Sequence, residues 1–102
     1  MTDAITPGQF RDSAGVSDWQ PRDDGAHALF QTGSFATGVA LVVEIGRLAD
    51  AADHHPDVGL TYPAVAVRVY SHDVGGLSER DVALARAISA VAGELGLRAA
   101  RA

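Results

Sequence analysis

The segment DAADHHPDVGLTYPAVAVRVYSHDVGGLSERD, residues 50–81, decides the fold. At its centre, Ala64-Val65-Ala66-Val67-Arg68-Val69-Tyr70 alternates, with Val65, Val67 and Val69 on one face, which is the period of a half-buried strand. Pro63 belongs at the entry to that strand or at a bend, because proline cannot donate to a central ladder. Upstream, Pro56 and Gly59 end a helix. Downstream, Ser78 followed by Asp81 marks the start of another. The segment therefore reads as helix, strand, helix. It also holds three of the chain's four histidines, His54, His55 and His72. Histidine titrates near neutrality, so the cluster points first to proton transfer.

Working outward, Ser34 caps a long helix in which Phe35, Val39, Val42, Ile45, Ala49 and Ala52 recur at helical spacing. The final helix carries an apolar stripe of Leu84, Ile88, Val91 and Leu95. Near the N-terminus, Thr6-Pro7-Gly8-Gln9 combines an N-cap, a proline at the first helical position and a capping-box glutamine, and predicts a short helix ending near Gly15. Val16 to Gln20, around Trp19, and Ala26 to Thr32 are expected to form a hairpin across the turn-prone residues 21–25. The sum is an α+β chain: one domain over residues 1–102, with an antiparallel sheet of about four strands and helices packed on one face.

Composition excludes several classes. A chain of 102 residues suits one small domain that gains by oligomerising, and its 47% hydrophobic content argues for a folded protein. The charge of -5 lacks the basic footprint of a nucleic-acid binder. All eight basic residues are arginine, so a lysine Schiff base is excluded, and the lack of cysteine removes thiol nucleophiles and disulfides. The longest apolar run, Val39 to Val43, is too short to span a bilayer. Because Met-Thr-Asp-Ala also lacks a signal pattern, a cytoplasmic location is expected.

Asp50 and His54, four apart, share a helix face if the helix extends that far. A carboxylate there orients the imidazole and favours its charged form. His72 follows the valine strand and precedes the Gly75-Gly76 turn, from which it approaches the same cleft. Asp81 has a structural role in completing the Ser78 cap. Other chemistries fit less well. Adjacent histidines seldom point at one ion, so no metal is expected. Ser71-His72-Asp73 has the residue types of a triad, but neighbours on a strand alternate faces. Gly75-Gly76 lacks the phosphate-loop pattern. His27 has no motif support and reads as a strand side chain.

Asp50, His54-His55-Pro56, Tyr62, His72 and Asp81 at these spacings resemble the pterin-4a-carbinolamine dehydratases, also called 4a-hydroxytetrahydrobiopterin dehydratases. The stretch Ser71 to Asp81 is particularly similar to that family. The resemblance implies dehydration of a 4a-hydroxytetrahydropterin to quinonoid dihydropterin. Its catalytic histidines would be His54, His55 and His72, and Asp50, Asp57, Tyr62 and Asp81 would bind substrate or support them. His54 and His72 form the expected proton-transfer pair. The resemblance further implies no cofactor, pterin being the substrate, a homodimer or homotetramer, and a link to aromatic amino acid hydroxylases through pterin recycling. The alternative it carries is a noncatalytic role, since some relatives are transcription cofactors and others RuBisCO assembly factors. Two departures stand out. Asp57 is followed by Val58-Gly59 where family members carry bulky aromatics, which reduces aromatic packing around a pterin, and Pro63 follows Tyr62 in place of a polar residue.

Overall fold

The computed structural model describes residues 3–100. The predicted N-terminal helix is α1, Pro7–Arg11, which ends at Arg11 rather than near Gly15, with Thr6 and Gln9 closing a reciprocal capping box at 3.0 and 2.8 Å. The long helix is α2, Phe35–Ala52, capped by Ser34, and the last is α3, Glu79–Glu94, capped by Ser78. The valine strand is β5, Ala64–Val69, with Val65, Val67 and Val69 all buried as expected. It pairs antiparallel with β3, Gly25–Gln31, on one side and with β4, Asp57–Thr61, on the other. With β2, Gln20–Arg22, the sheet order is β2-β3-β5-β4, and β7, Arg98–Ala99, adds to β3. A second, minimal ladder joins β1, Ala4–Ile5, to β6, Leu77–Ser78.

One face of the sheet meets the helices and the other is open. Ala26, Ala28 and Phe30 of β3 and the three valines of β5 form one cluster with Leu41 and Ile45 of α2 and Val82, Leu84, Ala85 and Ile88 of α3. Burying branched and aromatic side chains of this size contributes roughly 1.5–3 kcal/mol each. Trp19 edges against Phe30 at 6.1 Å between ring centroids, and its indole N–H donates to Ser89 Oγ at 2.9 Å, so the ring is buried without an orphaned donor.

Several expectations shift. The first hairpin strand is Gln20–Arg22 rather than Val16 to Gln20, and only Asp23 and Asp24 form the turn, because Arg22 pairs directly with Gly25. Val16 and Trp19 still enter the core, from an irregular segment that ends in the turn Trp19 N–H to Val16 O. On α2 the buried stripe is Gly38, Leu41, Ile45 and Ala49. Phe35 and Val39 instead lie 52% and 41% exposed. Helical spacing fits both stripes because Val39, Leu41, Val42, Val43 and Ile45 make this helix apolar nearly all round. The α3 stripe keeps Leu84 and Ile88, whereas Leu95 lies beyond the helix and half exposed. The strand β4 is a new element. Its sequence, Asp57 to Thr61, has glycine at its centre and only Leu60 partly buried, so alternation gives no signal there.

Glycine conformation is demanding at one turn. Gly25 has φ of 122°, and a Cβ there would lie 2.6 Å from the Val69 carbonyl oxygen. Gly25→Ala is expected to destabilise the domain by about 1–3 kcal/mol in urea unfolding. By contrast Gly46→Ala, in the exposed middle of α2 with no atom within 4 Å of the new methyl, should stabilise it by about 0.5–1 kcal/mol. Equal effects at the two positions would contradict this account of the hairpin.

Candidate functional site

The site begins where α2 stops. Asp53 adopts the left-handed conformation, φ 49° and ψ 42°, and the His54 N–H closes back on Ala49 O at 3.2 Å, a Schellman-type ending. The helix therefore does not extend to His54, and Asp50 does not share a face with it. Beyond the reversal His54 turns inward. Its side chain is 11% exposed, and Nε2 lies 2.7 Å from Oδ1 of Asp81, which is fully buried. Asp50 pairs instead with His55, Nε2 to Oδ1 at 3.0 Å, in an exposed arrangement.

Asp81 is more than a cap. Its Oδ2 accepts from the Ser78 backbone N–H at 2.9 Å, as the capping box predicts, and also from Ser71 Oγ–H at 2.7 Å. Since the Ser71 proton is directed at the carboxylate, the 2.7 Å contact between the Ser71 and Ser78 hydroxyls has Ser78 as donor. Ser78 Oγ in turn accepts the Arg80 N–H. The carboxylate takes Nε2–H of His54, and Nδ1 of that ring has no hydrogen-bond partner among the described residues. A fixed tautomer on a half-sequestered histidine is what a general base requires.

His72 lies in a short 3-10 turn, His72–Val74, between Ser71 and Asp73. Its ring is exposed and packs edge-to-face on Tyr70, with centroids 4.9 Å apart. The residues on either side of it join the His54 neighbourhood: Ser71 bonds Asp81, and Asp73 pairs with Arg80. The Arg80 guanidinium, through its hydrogen bond and its charge, holds the Asp73 carboxyl below its ordinary range. His54 and Arg80 line one cavity of about 440 Å³ between the end of α2 and the start of α3, with Leu48, Ala51, Leu84 and Ala87 as apolar walls. That volume falls within the range of small-molecule sites. The Arg80 Nε is buried and has no hydrogen-bond partner among the described residues.

Two expected positions lie elsewhere. Asp57 is bound to Arg68 at 2.7 Å, and both line a hollow of about 600 Å³ on the open sheet face together with His27. Tyr62 sits in the β4–β5 turn, 71% exposed, and five strand residues from Asp57 amount to about 17 Å. The structure thus joins His54, Asp81 and the segment around His72, keeps Asp50 with His55 at their edge, and separates Asp57 and Tyr62 from them. Ser71 and Arg80 are members that sequence reasoning missed. Ser71 entered only as a dismissed triad member beside His72, and Arg80 only within the stretch Ser71 to Asp81. Among the described residues, no three His, Asp or Glu side chains are grouped as metal ligands.

Comparison with known proteins gives consistent matches. The family model described as pterin 4 alpha carbinolamine dehydratase matches residues 3–91. A protein of Chloroflexus aurantiacus is 38% identical over 76 residues, 74% of this chain and 82% of that one. One of Halobacterium salinarum is 38% identical over 69 residues, 68% and 76% of the two chains. Both carry names that provisionally assign them as pterin-4-alpha-carbinolamine dehydratases. A crystal structure from Brucella melitensis, described as a transcriptional coactivator/pterin dehydratase, superposes with a TM-score of 0.81 at 26% identity, covering 89% of this chain and all of that one.

Removing the buried carboxylate leaves His54, Ser71 and the Ser78 N–H without an acceptor, so Asp81→Ala should cost about 3–5 kcal/mol in chemical denaturation. A loss below about 1 kcal/mol, the size of a cap alone, would contradict the network. For Asp73 the sign follows from its lowered pKa. Its stabilising contribution is present above the ordinary value of 3.8 and is lost as pH falls through the lower folded value. Carboxyl NMR titration of Arg80→Gln should show Asp73 returning upward toward 3.8, and an unmoved titration would remove Arg80 as the cause.

Proposed function

The chain belongs to the pterin 4 alpha carbinolamine dehydratase family, matched from residue 3 to residue 91, and on that premise we propose that it dehydrates a 4a-hydroxytetrahydropterin. The observation that carries this reading is His54, held by the buried Asp81, on the wall of a cavity large enough for a bicyclic heterocycle. The substrate has a hydroxyl on C4a and a hydrogen on N5. Loss of water breaks the C4a–O bond, removes the N5 proton and leaves a C4a–N5 double bond, giving the quinonoid dihydropterin. No electrons are transferred to or from the ring, so the proposal includes no redox cofactor.

His54 suits the base. With Nε2–H held by Asp81, its Nδ1 accepts the N5 proton, and the adjacent carboxylate stabilises the imidazolium that forms. His72, exposed beside this network, supplies the proton with which hydroxide leaves as water. His55, tied to Asp50 at the edge, supports binding or proton exchange with solvent. Arg80 offers hydrogen-bond donors from the wall of the same cavity, suited to a carbonyl or ring nitrogen of the pterin. Recycling of tetrahydropterin for aromatic hydroxylases and assembly as a homo-oligomer are part of this reading. The exposed Phe35, Val39 and Val43 on α2 support the latter as an apolar face open to another chain. The same face favours a second reading, a noncatalytic protein-binding role, which the word coactivator in the Brucella description also suggests.

Stopped-flow absorbance of 4a-hydroxytetrahydropterin, generated in situ, tests the reading. The wild-type chain should accelerate dehydration, and His54→Ala and His72→Ala should each lower kcat by about 10²-fold while remaining folded. Full rates in both folded variants would overturn the histidine assignment. No acceleration by the folded wild-type chain would overturn the dehydratase reading in favour of the binding role.

A further inference from the structure

The three motif histidines are held in different ways. His54 and His55 each have a carboxylate on Nε2, at 2.7 and 3.0 Å. The His72 imidazole makes no hydrogen bond among the described residues, and its ring is placed against Tyr70, at 4.9 Å and an interplanar angle of 75°. Tyr70 is fixed in turn. The Arg68 guanidinium lies over its ring, 5.1 Å from the centroid, where a cation is attracted to the negative π face. Arg68 is itself anchored twice: Nε and Nη2 donate to Asp57 Oδ2 at 3.0 and 2.7 Å, and Nη1 donates to the Asp24 carbonyl oxygen. Arg68 lies in β5, Tyr70 follows its end and His72 opens the 3-10 turn, and the two ring contacts place guanidinium, phenol ring and imidazole in a row.

We propose that Tyr70 is a positioning residue for His72, and that Arg68, pinned by Asp57 and the β2–β3 turn, braces it. The proposal rests on the dehydratase reading for its kinetic consequence but not for the contact itself. The chemistry explains why a T-shaped aromatic contact suits this position. A group that passes a proton to a departing hydroxyl needs a fixed ring and uncommitted nitrogens. A carboxylate partner orients an imidazole by engaging one nitrogen, whereas an edge-to-face contact orients it and leaves both free. The inference also gives Asp57 a part in the site although it stands outside the cavity: it acts on His72 through Arg68 and Tyr70. Sequence-distant Asp24, in the first hairpin, belongs to the same row through its carbonyl.

The test compares Tyr70→Leu with Tyr70→Phe, using two readouts. In the dehydration assay Tyr70→Leu should lower kcat about tenfold with KM little changed, within the range that a misplacement of about 1 Å produces. Tyr70→Phe, which keeps the ring, should restore most of the rate. Side-chain NMR of labelled histidine should show the His72 carbon-bound proton signals moving in Tyr70→Leu as the ring current is lost, keeping their positions in Tyr70→Phe, while the His54 signals stay in place. A folded Tyr70→Leu with wild-type kcat, or with unmoved His72 signals, overturns the proposal. If that variant does not fold, Arg68→Met carries the test by removing the brace and keeping the ring; unmoved His72 signals there overturn it equally. Should the wild-type chain show no dehydratase activity, the dehydratase reading fails and the NMR shifts alone decide the contact.

Discussion

Everything near the site depends on one buried carboxylate. Asp81 has no exposed surface, and an ion moved out of water costs several kcal/mol even after the protein relaxes around it. It is tolerated because three donors converge on its two oxygens: His54 Nε2–H, Ser71 Oγ–H and the Ser78 N–H. Those donors come from three places in the chain, just after α2, just after β5 and just before α3. One side chain therefore fixes how two helix ends and a strand end meet. Stability and proton chemistry are not separable here. The same hydrogen bond that satisfies the carboxylate sets the tautomer of the histidine proposed as base.

The three histidines of the motif show how the same residue type is given different properties by its restraint. His54 is shielded and bonded to a buried acid; His55 is exposed and bonded to an exposed acid; His72 rests against an aromatic ring. Coulombic effects scale with exclusion of water, so a carboxylate beside His54 acts far more strongly than the equivalent one beside His55. Adjacency in sequence says nothing of this. The left-handed Asp53 sends His54 into the protein, and the next residue, His55, projects outward.

Much of the fold was legible because it rests on local signals. Capping residues at Thr6, Ser34 and Ser78 predicted three helix starts, and the alternating valines predicted the central strand and its buried face. What escaped were features decided by tertiary context. The edge strand β4 is formed by pairing with β5, not by its own pattern. The face of α2 that is buried was ambiguous because two apolar stripes exist and only packing against the sheet chooses between them. At the site, the sequence spacing paired Asp50 with His54 where the structure pairs it with His55, since a single left-handed residue moved His54 off the helix. The link from His54 to Asp81 spans 27 positions and has no local signature.

The open face of the sheet has a consequence for assembly of the strands themselves. Across it, Gln20 pairs with His27, His27 with Arg68 and Arg68 with Asp57, a polar row that runs through four strands in register. If β5 slipped by one position, Arg68 would be driven among the core valines and a valine would take its place in water. The slipped sheet would lose the Asp57–Arg68 pair and its hydrophobic layer together. The wet side of this small sheet thus acts as an alignment key, penalising mispaired strands.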